Sequence, residues 1–128
     1  MKSDEIKAGG LGSESRVFSF GSLPVRTGAN GSEGRDVLHG AVVTGEPVAL
    51  HESMQPAGAK PNPAHRIEHT EVICVREGAL EFDHDGRTER VDAGGVIFVA
   101  KGTMHTLRNA GDGAAAYFVF AIGGDINK

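Results

Sequence analysis

Apolar and β-branched residues in this chain come in short runs, each closed by glycine, proline, asparagine or aspartate. No stretch repeats its apolar positions at the three-to-four-residue spacing of a helix, so the pattern predicts strands throughout. The expected strands are Arg16–Phe20, Val37–Val43, Val48–Met54, Glu71–Val75, Ala79–His84, Arg87–Val91, Val96–Ala100, Met104–Arg108 and Ala114–Ile122. Asp85-Gly86 between two of them is a strong two-residue hairpin signal. Residues 28–34 are all turn formers and read as a surface loop. The segment from Gln55 to Ala64 holds three prolines within eight residues, which leaves too few backbone donors for a central strand. Strands at this even spacing predict an all-β, antiparallel sandwich or barrel. Residues 1–15 are polar and glycine-rich and read as a flexible N-terminal arm, with a single domain over 16–128.

Composition narrows the picture. A chain of 128 residues fits one domain and can bury a core without disulfides. Nineteen glycines suit short strands and tight turns better than helices. Thirteen basic against 17 acidic side chains, with no basic run, argue against nucleic acid as a partner. The single cysteine, Cys74, excludes an internal disulfide. No apolar run is long enough for a membrane span, and no apolar segment follows Met1-Lys2-Ser3-Asp4-Glu5 as in a signal peptide. A cytoplasmic protein is the expectation. Cys-x-x-Cys pairs, a phosphate-binding glycine loop, a nucleophile elbow and a zinc-protease helix are all missing from the sequence.

Two stretches carry the chemistry. The first runs from His65 through Glu68, His69 and Glu71 to Gly78, and the second from Gly94 through Gly102 and His105 to Asn109. Their spacing resembles the two motifs of the cupin superfamily. In the first motif Glu71 and Gly78 fit, and His65 stands six residues before Glu71, where the first histidine belongs. Ile67 occupies the place of the second histidine, and Gly58 lies one residue too far upstream. In the second motif Gly94, Gly102, His105 and Asn109 fit, while Ala100 replaces a proline. The resemblance implies a double-stranded β-helix, that is, a jelly-roll barrel of antiparallel strands. It also implies a divalent transition metal (Fe, Mn, Ni, Zn, Co or Cu) held by His65, Glu71 and His105.

Three outcomes follow from Ile67. Two histidines and one carboxylate can serve alone, as in many non-haem iron sites. His69, two residues before Glu71 and so on the same face of a strand, can supply a fourth ligand. Or the metal is lost and the pocket is merely polar, which leaves a carboxylate in need of donors. Glu71 is also the candidate catalytic base. The implied functions are a small metal-dependent enzyme of dioxygenase, isomerase or lyase type, or a non-catalytic binder of a small ligand such as a sugar or acid. The family's habit of pairing implies a homodimer. Other residues read more plainly. Arg66 is a weak candidate for an anionic substrate, Glu68 a rim charge, and Asn109 a turn staple. His84 reads as exposed, His39 and His51 as structural, and Cys74 as packed. Phe82, Phe98, Phe118, Phe120 and Met104 read as core.

Overall fold

The computed structural model describes residues 11–124 and residue 126. Residues 1–10 of the expected arm lie outside the described residues. The described residues form ten strands: β1 (Arg26–Thr27), β2 (Glu33–Ala41), β3 (Pro47–Gln55), β4 (His65–Arg66), β5 (Thr70–Glu77), β6 (Ala79–His84), β7 (Arg87–Asp92), β8 (Val96–Val99), β9 (Met104–Asn109) and β10 (Ala115–Ile122). One sheet has the order β1-β2-β3-β10-β5-β8 and the other β4-β9-β6-β7. Every pairing is antiparallel. Among the described residues no helix is long and apolar enough to cross a membrane.

The two sheets face each other because β5, β6, β8 and β10 carry an apolar residue at every second position on one side. Ile73, Val75, Leu80, Phe82, Ile97, Val99 and Val119 all point into the shared interior and are buried. Two-layer packing of this kind is how half-apolar sheets remove their faces from water. Asp85 and Gly86 both have positive φ, 50° and 75°, the backbone that a two-residue hairpin turn requires.

Four expectations are corrected. Arg16–Phe20 is not a strand: residues 12–19 are irregular, and a single 3-10 turn spans Phe20–Ser22. Phe20 lies on the outer side of the larger sheet, edge-on to Phe118 at 6.2 Å, with the Arg35 guanidinium 4.3 Å above its ring. That contact holds the segment flat against the sheet. Phe98 and Met104 are 66% and 45% exposed, because their strands turn Ile97, Val99 and His105 inward and leave these two outside; Phe118 and Phe120 are only half-buried for the same reason, alternating with buried Tyr117, Val119 and Ala121. Cys74 is exposed for the same reason, between inward Ile73 and Val75. His84 is half-buried rather than exposed, stacked on Phe82 at 4.3 Å.

Candidate functional site

The proline-rich approach ends in the short strand β4, which pairs with β9 so that His65 stands opposite His105. Their rings are 4.8 Å apart. Glu71 projects from β5 of the other sheet, and its Oε1 lies 3.9 Å from His105 Nε2. The first and second sequence motifs are therefore brought face to face across the barrel. His65, Glu71 and His105 line one cavity of about 170 Å³, together with His51, Ser53 and Gln55 of β3 and Tyr117 of β10. A larger depression of about 660 Å³ lies between the Arg26–Gly34 turn and Lys60–Pro63, but no histidine lines it.

The hydrogen bonds fix how these groups present themselves. His105 Nδ1 lies 3.0 Å from the Thr103 carbonyl oxygen. A carbonyl only accepts, so Nδ1 carries the proton, and in the neutral ring Nε2 holds a lone pair. Glu71 Oε1, itself an acceptor, lies 3.9 Å from that nitrogen. Glu71 Oε2 is engaged by His69 Nε2 at 2.8 Å. His69 and Glu71 are each 14% exposed, and His105 is 3% exposed.

The donor chemistry was tested against a cation. Two ligand atoms that share an ion at about 2.1 Å from each must lie within about 4.2 Å of one another. The pair formed by Glu71 Oε1 and His105 Nε2 meets this at 3.9 Å. His65 lies beside His105, its ring tilted by 44° at a centroid distance of 4.8 Å. The groups form a cluster rather than a finished cage: among the described residues no three His, Cys, Asp or Glu side chains already converge on one point. Ile67 is 4% exposed and packed in the apolar core, so position 67 supplies no donor.

Arg66 donates to the Gly102 carbonyl and lines an outer groove with Asp83 and His84 instead of the cavity. Asn109 staples backbone: its Nδ2 donates to the carbonyls of Gln55 and Gly113 at 2.9 and 2.8 Å, and its Oδ1 accepts from Gly111 N–H. Glu68 is exposed.

Sequence reasoning missed the wall that β3 contributes. His51, Ser53 and Gln55 alternate along the strand and all line the cavity. Gln55 donates through Nε2 to the Tyr117 hydroxyl at 2.9 Å, while its Oε1 has no partner among the described residues. Turning the amide over would only exchange which of its two polar atoms is left over. Gln55 and Tyr117 are each 6% exposed, and burial pushes the Tyr117 phenol above its ordinary range. Burial likewise lowers the His51 imidazole, against the pull of the nearby Glu71 charge. The period-two alternation across residues 51, 53 and 55 was the available signal.

Comparison with known proteins bears on the whole barrel. The model of the family described as "Cupin domain" matches residues 50–122. An RmlC-like cupin from Shewanella frigidimarina NCIMB 400 superposes with a TM-score of 0.72 at 18% identity, over 88% of this chain and 96% of that one. KdgF from Halomonas sp. superposes with a TM-score of 0.71 at 18% identity, over 84% and 94%. Likeness at that identity speaks for the fold alone. A shorter match, 43% identical over 56 residues, relates 44% of this chain to 19% of endoribonuclease YbeY from Myxococcus xanthus. It leaves most of that protein uncovered and carries no activity across.

Proposed function

The chain belongs to the cupin family, and from that premise we propose that it is a metal-dependent enzyme acting on a small polar organic molecule inside the barrel. The carrying observation is His105 Nε2 set 3.9 Å from Glu71 Oε1 in a cavity they share with His65. Two facing acceptors repel unless a cation or a donor lies between them. In this reading His65, Glu71 and His105 hold the cation. His69, expected as a fourth ligand, braces Glu71 through its 2.8 Å contact, and the Thr103 carbonyl braces His105. Such outer partners orient ligands and set their basicity.

A bound divalent cation supplies Lewis-acid polarisation of a substrate oxygen. The protein's own groups do the rest. The His69 contact turns Glu71 so that Oε1 faces the cavity. Glu71 is the carboxylate that lines the cavity among the described residues, and hence the candidate for taking a proton from a bound molecule. The hydroxyl of Tyr117 and the amide of Gln55 offer a neutral polar wall. A cavity of about 170 Å³ suits a small molecule. Isomerase and lyase chemistry suit a braced carboxylate beside a polarised oxygen; dioxygenation suits the same donor set.

The test is elemental analysis of the protein as isolated and after loading, with Glu71→Ala and His105→Ala beside it. The expected outcome is about one transition-metal ion per chain in the wild type and loss in both variants. Full metal content in both variants, or none in the loaded wild type, refutes the reading. The latter result leaves a non-catalytic binder of small ligands.

A further inference from the structure

We infer that His51, a residue outside both family motifs, is a further cation donor in this cavity and makes up for the donor that Ile67 removes. The inference rests on the cation reading above and extends it to a strand that the motifs do not touch.

Three independent observations carry it. First, the place where the first motif expects a second histidine is closed to chemistry, since Ile67 is buried among core side chains. The motif set is thus one imidazole short. Second, β3 brings an imidazole to the same cavity. His51 pairs with Val119 of β10, and Val119 pairs with Ile73 of β5, so His51 sits one inward row from Glu71. The neighbouring row is Ala49, Ala121 and Glu71. Alternation gives His51, Ser53 and Gln55 to the cavity and turns Glu52 outward to Arg76. Third, the ring of His51 has no hydrogen-bond partner among the described residues, whereas Glu71, His69, His84 and His105 all have one.

Zinc alone is a sufficient probe. Zn²⁺ affinity is measured by competition with a chromophoric chelator for the wild type, His51→Asn and Glu71→Ala. In parallel, the ring ¹H–¹⁵N correlations of the wild-type histidines are followed during Zn²⁺ addition. The expected result is a loss of at least about tenfold in affinity for His51→Asn, the scale on which even outer-sphere changes register. The His51 ring signals should move with the same zinc equivalents as those of His105. Wild-type affinity in His51→Asn overturns the inference while the cation reading stands. So do His51 signals that stay still while those of His105 shift, an outcome that needs no folded variant. Wild-type protein that takes up no zinc overturns both.

Discussion

At Gly78 the backbone has φ of +74°, and a methyl group added there would fall 2.4 Å from the Ala114 carbonyl oxygen. Two separate penalties meet at one residue: a left-handed conformation that L side chains rarely adopt, and a clash with backbone that cannot swing away. Gly58 has nearly the same φ, +73°, but open space around it. We therefore expect Gly78→Ala to destabilise by more than about 1–3 kcal/mol, the cost of the left-handed backbone alone, and Gly58→Ala by no more than that. Urea midpoints at unchanged slope are the measurement, and equal shifts for the two variants would remove the steric half of the explanation. Gly78 was legible in the sequence because its distance from Glu71 repeats a known spacing. So were His65, Glu71 and His105, which do share a cavity. His51 and Gln55 were not, because a strand's alternation names two faces without saying which is inside. The same ambiguity put Phe98 and Met104 in the expected core. Hydrophobicity reports that a residue tolerates burial, and only the pairing partners decide whether it is buried.

Among the elements, the hairpin β6–β7 shows how local sequence and sheet geometry agree. The Asp85-Gly86 turn sets His84 opposite Arg87 and brings Glu89 back along the neighbouring strand. His84 Nε2 meets Glu89 at 2.5 Å and Nδ1 meets Asp85 at 2.8 Å, with the ring stacked on Phe82. Those two carboxylates, Glu89 foremost, raise the imidazole above its ordinary value near 6.5 and lower Glu89 in turn. A raised folded value means that the folded state holds the proton more tightly than the unfolded one. The clamp's contribution is therefore full between the ordinary carboxylate range and pH 6.5; it is lost as the pH rises through the folded histidine value, and again in acid as Glu89 takes up a proton. The ring of His84 should titrate above 6.5 by NMR, and Glu89→Gln should bring it down and flatten this part of the stability profile. A wild-type ring titrating at or below 6.5 would break the argument. Strands from residue 70 onward lie within two residues of the sequence expectation, because glycine turns and apolar alternation coincide there. The failure at Arg16–Phe20 has a different cause. Its short apolar run suits a strand, but among the described residues the pairing on that edge of β2 comes from Arg26–Thr27, at Gly34 and Glu33. Phe20 instead seals the outer face over the buried Glu52, whose carboxylate meets Arg76 at 2.9 Å.

For the molecule as a whole, the proposed cation joins two sheets that otherwise meet mainly through apolar contact. Glu71 and His51 belong to the larger sheet, His65 and His105 to the smaller. Anything that binds the folded form alone stabilises it by mass action, about 2.7 kcal/mol when present at a hundred times its dissociation constant. Removing the ion by chelation should lower the unfolding midpoint of the wild type by a corresponding amount. It should leave a Glu71→Ala, His105→Ala double variant unmoved. The barrel should nevertheless stay folded after chelation, because other links between the sheets need no ion. Ile73, Leu80, Phe82 and Val99 fill the interior at 5% exposure or less. Asn109 of the smaller sheet also donates to the Gln55 carbonyl at the end of β3 in the larger one, at the pole where the turn after β9 closes. Calorimetry with and without chelator separates the two contributions. A midpoint that does not respond in the wild type would show that no ion bridges the sheets, and collapse on chelation would show that the apolar interior is not sufficient to hold them. A partial drop, absent in the double variant, places the ion between two layers that are already packed, where its binding energy goes into aligning donors from opposite walls of one cavity.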